Sequence, residues 1–584
     1  MKTKSVQNSN RQNTNRLTEI VLLLVLFFLP FIHVTTGVDL TDTGYGLTNF
    51  EAFPHINVMW CASTFLSNAI GKVFTFLPWG HTIIGMYAYC TALSGVMVLT
   101  IYFMLRKYFS WYLVYIGMFA GVVFSWAPKT CIYQYMSYYL LDIAAILLLK
   151  GLLEEKQKFL IFAGVVLSLA AFIRFPNIVD TALILVIFLY GYIYKKNILK
   201  QCLTCIISYF ATFLIGILSI ELTVSKGAYM TMINSLMGVS GSAEGYGIAD
   251  MAFKAFHDYF YFSKWLLIIF IYAVADFMVY KKISKEKTAK LWLAIQIPGF
   301  IFVYLVILKL YGFNLNFSDL FSIQSWGIFL IVVALGYSIY SVLNKKIQSQ
   351  DRLISFTVFM IILITPLGSN QGSFTIINNL FLVAVYLILV SLGKINLREL
   401  SKIKYEHNKA LPVRITIFLT VIFASIQGLF FSMDYIFREE SFLEGDFAVI
   451  KDNPVLKNIR TSKSNAYDIE ELSRFIYGKG YNEKKAIFYG NIPMISYAMQ
   501  MPSAISTSWP DLESYSLKEL NDDIASMTDY PILIFGCKNE ENNSEDVVDI
   551  TTEKEEVIMK YIKEQKYVEI FRNNSFFVME KMAD

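Results

Sequence analysis

Gly37-Val38-Asp39-Leu40-Thr41-Asp42-Thr43-Gly44-Tyr45-Gly46 is the stretch whose reading decides the fold. It follows an apolar run, 19–36, and sets two carboxylates just beyond it, ahead of a Gly-rich turn with one aromatic. A carboxylate gains nothing from lipid, since burying its charge in the bilayer core is costly. At the end of a membrane helix it is well placed to act on something at the surface.

The rest of the chain supports a membrane setting. Of 584 residues 55% are hydrophobic and 16% charged, with mean hydropathy +0.50, too apolar for a soluble fold. Runs near the ~20 residues that cross a bilayer core recur at 19–36, 81–104, 111–127, 134–150, 158–174, 178–194, 201–222, 265–280, 289–308, 324–342, 353–367, 375–393 and 415–433. That predicts thirteen transmembrane helices over residues 1–433. The first run is long and no small-residue cleavage site follows it, so it reads as an uncleaved span.

Charge fixes the orientation. Of the 33 Lys and Arg before residue 434, 26 fall on the N-terminus and alternate connections, including the basic 394–414 segment. By the positive-inside rule these face the cytoplasm. The N-terminus is then cytoplasmic and the C-terminal part extracytoplasmic. From residue 434 onward 28 acids face 17 bases, and strands alternate with helices, which predicts a small extracytoplasmic α/β domain over 434–584. Its expected elements are a helix at 467–477, strands at 486–489 and 531–535, a helix 553–565 behind a Thr552/Glu555 capping box, and a hairpin turning at Asn573-Asn574.

The six cysteines show no disulfide framework. Cys202 and Cys205 have CxxC spacing but sit in an apolar run with no second ligand pair, and read as buried small hydrophobes.

Ionisable groups in a span cost roughly 2.5–3.5 kcal/mol at the bilayer centre, so each needs a reason. Asp142 lies about two turns into the fourth run from its outer end, on the side of Asp39 and Asp42, and could converge with them. A general base of this kind suits group transfer to a hydroxyl. The leaving phosphate needs positive charge. Of the seven outward bases Arg174, beside Pro176, has the planar fork that suits phosphate. The outer loop 223–264, with its Gly-rich run 238–247 and Tyr246, could close over a substrate, as Gly44 and Tyr45 could line it.

Asp39-x-x-Asp42-x-Gly44-Tyr45 after the first span resembles the acidic first-loop motif of the GT-C superfamily of polytopic glycosyltransferases. Tyr138-x-Leu140-Leu141-Asp142 resembles the second acidic position in the branch of protein mannosyltransferases and lipid A aminoarabinose transferases. That resemblance implies a membrane enzyme transferring a hexosyl or pentosyl group from a polyprenyl-phosphate-linked donor to an extracytoplasmic glycan, lipid or polymer. Asp42 is the favoured base, with Asp39 holding a backbone amide, a metal or the acceptor. Many members carry adjacent acids in this loop, whereas here they are three apart. No cofactor is specified. For a divalent metal the candidates are Asp39 and Asp142. Expected partners are the lipid-linked donor, the acceptor and membrane lipids, without nucleic acid. Two other readings compete, a flippase of a lipid-linked glycan and a non-catalytic scaffold of envelope assembly. Against the flippase, the sequence shows no repeated halves and no paired broken spans.

The charge bias predicts that a phosphatase fused at residue 584 is active. An inactive phosphatase there, with a fluorescent protein fused at the same place glowing, would contradict the orientation.

Overall fold

The computed structural model describes residues 16–242, 248–283, 286–311, 320–369, 371–392, 410–537 and 548–582. Each of the thirteen apolar runs contains helical backbone, beginning with 16–28 and the turn Leu29–Phe31, but 32–36, 124–127, 365–367 and 378–380 within them are turn or irregular. Seven of the described helices are long and apolar enough to cross a membrane, and a bent pair, Ala249–Phe262 with Leu267–Lys281, makes an eighth candidate. Trp111–Val123, Gln157–Ile173 and Phe381–Leu392 are apolar but shorter, below the ~20 residues of a full crossing. Leu214, Leu218 and Leu222 form an exposed stripe at helical spacing on Leu199–Thr223, the outward face expected when lipid is the solvent. Most of the basic 394–414 segment lies outside the described residues.

Local sequence explains the breaks that matter. Helix Gln157–Ile173 stops at Arg174, which is extended. Pro176 removes a backbone donor, and a ten-residue 3-10 segment, Phe175–Ile184, follows. Ser373–Ile377 and Phe381–Leu392 are separated by buried Asn378 and Asn379. Asn378 Oδ1 accepts from the backbone N–H groups of Trp126 and Ala127, tying two outer loops together.

After helix Leu411–Asp434 the chain forms two sheets. Strands β1 (Phe447–Val449) and β2 (Arg460–Ser462) pair antiparallel. Strands β3 (Ala486–Tyr489), β4 (Ile532–Gly536), β5 (Tyr567–Arg572) and β6 (Phe576–Lys581) form a sheet in the order β3-β4-β6-β5, with β3 and β4 parallel. Helix Lys463–Gly478 covers the expected 467–477. The other helix begins at Val548, so Thr552 lies inside it rather than capping it. The β5–β6 turn is closed by the Asn573 side chain, which accepts from the N–H groups of Ser575 and Phe576. Neither Asn573 nor Asn574 adopts the left-handed backbone that was expected to close it.

The C-terminal unit grips the stretch 35–60. Thr36 bridges to Arg460: the Gly37 N–H donates to Arg460 O and the Arg460 N–H to Thr35 O, at 2.8 and 2.9 Å. Further on, the Met494 N–H donates to Leu40 O, the Asn57 N–H to Ser506 O, and the Trp60 indole to Ser514 Oγ. The expected Gly-rich turn is instead the start of a helix, Asp42–Ala52. A Cβ at Gly44 would lie 2.3 Å from the Met494 backbone nitrogen, so this glycine serves contact with helix Pro493–Met499. Tyr45 is buried edge-on against Trp60 and Trp509.

Gly44→Ala should therefore part the helix from the C-terminal unit, lowering stability by ~1–3 kcal/mol, the usual cost of overpacking. Thermal unfolding and tryptic release of the C-terminal fragment would show it. A variant as stable and protease-resistant as wild type would contradict this packing.

Candidate functional site

Asp39 is buried and saturated. Its Oδ1 accepts from the Thr41 N–H at 3.0 Å and the Thr41 hydroxyl at 2.6 Å, and its Oδ2 from the Thr43 N–H at 2.7 Å. Thr43 lies in the first turn of helix Asp42–Ala52, whose N–H groups have no partner within the helix. Asp39 thus does what an N-terminal cap does, with the charge a helix start favours. Of the roles open to it from sequence, it holds backbone amides.

Asp42, one residue into that helix, is only partly covered, its side chain 30% exposed. Burial raises its carboxyl above the ordinary carboxylate range. The Arg438 guanidinium opposes this and neighbouring Asp39 adds to it. Arg438 Nη2 lies 3.1 Å from Asp42 Oδ2, and Nη1 donates to the Thr41 hydroxyl. Arg438 has φ +56°, a left-handed conformation that costs a non-glycine residue ~1–2 kcal/mol. Next to it, Glu439 Oε1 accepts from the Val38 N–H and the Thr461 hydroxyl. One short segment after the last membrane helix thus clamps both the acidic stretch and β2. Sequence reading passed over Arg438 because 396 positions separate it from Asp42. The available signal was a lone base just outside the last span, on the side where topology places the acids.

Arg174 lies at the C-terminal end of helix Gln157–Ile173, half-buried, with one guanidinium N–H donating to Gly368 O at 2.8 Å. It sits 6.0 Å from the Tyr133 ring. Tyr133 is within electrostatic reach of both Arg174 and Asp42.

Asp142 is fully buried. The Leu382 amide is beside it, but neither carboxylate oxygen has a partner in hydrogen-bond geometry. The outer cavity, about 140 Å³, is lined by Asp39, Thr43, Tyr87, Lys129, Tyr135 and Tyr139 among others, and not by Asp142. Asp39 and Asp42 are thus together, whereas Asp142 lies deeper, one turn below Tyr139. The expected role of Gly44 and Tyr45 in lining a substrate path is replaced by the domain contact described above. Tyr246 lies outside the described residues. Among the described residues no three His, Cys, Asp or Glu side chains gather closely enough to hold a metal ion.

No family model matches the chain, and no curated protein matches it. Solved structures of the oligosaccharyltransferase of Archaeoglobus fulgidus are similar. One, in complex with zinc and sulfate, is 11% identical with a TM-score of 0.47, over 89% of this chain and 67% of that one. Another, of the same enzyme (AglB) with an inhibitory peptide and a dolichol-phosphate, is 12% identical with a TM-score of 0.47, over 89% and 70%.

Because Arg438 holds the Asp42 carboxyl down against burial, Arg438→Ala should raise its pKa. Infrared titration of the carboxyl band, assigned by its loss in Asp42→Asn, reads this directly. An unchanged or lowered value would show that the ion pair does not set the acid's titration.

Proposed function

We propose that the protein is a membrane glycosyltransferase with thirteen crossings, moving a hexosyl or pentosyl group from a polyprenyl-phosphate-linked donor to an extracytoplasmic glycan, lipid or polymer. The observation that carries this is Asp42, a partly covered carboxylate of raised pKa beside a guanidinium, on a braced helix just outside the membrane bundle.

The chemistry follows from that setting. An acceptor hydroxyl is a poor nucleophile until its proton is taken as the bond forms, and a carboxyl whose pKa is raised is the better base for this. Asp42 accepts the proton and the acceptor oxygen bonds to the anomeric carbon. The bond from that carbon to the phosphate oxygen breaks, and its electron pair leaves on the polyprenyl phosphate. Arg174, like Asp42 within electrostatic reach of Tyr133, holds that phosphate through its planar fork. Asp39 positions the base by starting its helix. Asp142, one turn from Tyr139 on the same helix, supports the site from below rather than taking part in proton transfer. The C-terminal unit of residues 434–584 braces the site and does not carry out transfer by itself.

The test is transfer from a synthetic polyprenyl-phosphate sugar by purified protein. Asp42→Asn keeps the shape but cannot take a proton, and its rate should fall ~10²–10⁴-fold with insertion unchanged. Full activity in that variant would exclude Asp42 as the base. Arg174→Lys keeps the charge and loses the fork, so it should weaken donor affinity while the protein still folds. Unchanged donor affinity would leave Arg174 as an anchor of the 368 loop.

A further inference from the structure

Beside the acidic stretch lies a cation that the mechanism above does not use. Lys129, in the short loop between helices Trp111–Val123 and Ile132–Leu153, lines the outer cavity. Its ammonium makes no ion pair or hydrogen bond with any described residue. The Tyr87 ring lies 5.9 Å away, and His33 is within its electrostatic reach. Burial pushes its pKa down to about 8, the mark of a charge taken from water without compensation.

The one carboxylate lining the same cavity does not relieve it. Asp39 spends both oxygens on Thr41 and Thr43, and no carboxylate lies within 4 Å of Lys129 among the described residues. The rest of the wall is rich in hydroxyls and aromatic rings, and three of its tyrosine hydroxyls are committed. Tyr87 donates to Gly37 O, Tyr135 to Cys90 O, and Tyr139 pairs with Ser94. Apart from Asp39, whose oxygens are engaged by Thr41 and Thr43, the lining offers Lys129 no negatively charged acceptor. Lys129 is half-buried, so its charge keeps only part of its water, and an oxyanion that fills the space gains a charge-assisted hydrogen bond there.

We infer that the cavity walled by Lys129, Asp39, Tyr87, Tyr135 and Tyr139 is a binding site for a phosphate-class oxyanion of a substrate. This rests on the transfer reading for the identity of the ligand. It is a second oxyanion position beside the one proposed for Arg174. At about 140 Å³ the cavity has room for a phosphoryl group and part of its ester. The aromatic walls suit a phosphate carried on a polyprenyl chain, and a soluble phosphate ester shares the same headgroup chemistry.

The test is equilibrium binding to the full-length protein in nanodiscs, with polyprenyl phosphate in one arm and glycerol phosphate in the other. Lys129→Met should weaken binding about tenfold or more, the scale of one lost charge-assisted hydrogen bond, and Lys129→Arg should restore most of it. Tighter binding of the polyprenyl form assigns the site to a lipid carrier, and equal binding to a soluble ester. Wild-type affinity should also fall as pH rises from 7.5 to 9.5, as the Lys129 charge is lost; this measurement needs no variant to fold. His33, Asp39, Tyr87, Cys90, Tyr135, Tyr139 and Tyr435 are the other titratable groups lining the cavity. Equal affinity in wild type and Lys129→Met, an affinity flat across that pH range, or no binding by wild type would overturn the inference. Wild type that binds polyprenyl phosphate through Lys129 but transfers no sugar would instead sink the transferase reading and leave this site standing.

Discussion

The position of the proposed base depends on one buried carboxylate that is not itself the base. Asp39 gives both oxygens to the backbone and hydroxyl of Thr41 and to the amide of Thr43. Those bonds start helix Asp42–Ala52 immediately outside the first span. Removing one partner from a buried charge leaves a cost larger than the bond itself contributed, so this cap strongly favours one geometry. Asp42 is carried on the first residue of that helix and inherits its placement.

The second constraint comes from the far end of the chain. The Thr36–Arg460 bridge, the Met494–Leu40 bond and the contact at Gly44 hold the same stretch from the C-terminal unit. Arg438 and Glu439 arrive between them and reach Thr41, Asp42 and Val38. The Arg438–Asp42 pair is half exposed, and such pairs contribute only ~0–1 kcal/mol. It is therefore weak enough for a substrate to displace, yet close enough to tune the acid.

Much of this was legible in the sequence. The apolar runs declared the helices because only a helix satisfies its own backbone in lipid, short apolar runs marked β3 and β4, and Asn573-Asn574 marked the β5–β6 hairpin. Asp39 and Asp42 stood out as charges at a span's end. The Gly44-Tyr45-Gly46 stretch misled because glycines suggest a turn when nothing shows what packs on them. Here Gly44 admits the Met494 backbone, a contact 450 residues away. Asp142 misled for a similar reason: periodicity gives depth along a helix but not which neighbour its side chain meets. Arg438 and Lys129 were visible as outward bases, but no local pattern ties a base to an acid hundreds of positions away.

The most direct measurement is a structure of the protein with a polyprenyl-phosphonate sugar, an analogue whose glycosidic bond cannot break. The account predicts the anomeric carbon facing Asp42 across a gap that an acceptor hydroxyl can fill, the hydroxyl then lying about 2.6–3.2 Å from the carboxylate. A sugar bound away from helix Asp42–Ala52, with Asp42 still paired to Arg438 and turned from the substrate, would contradict it.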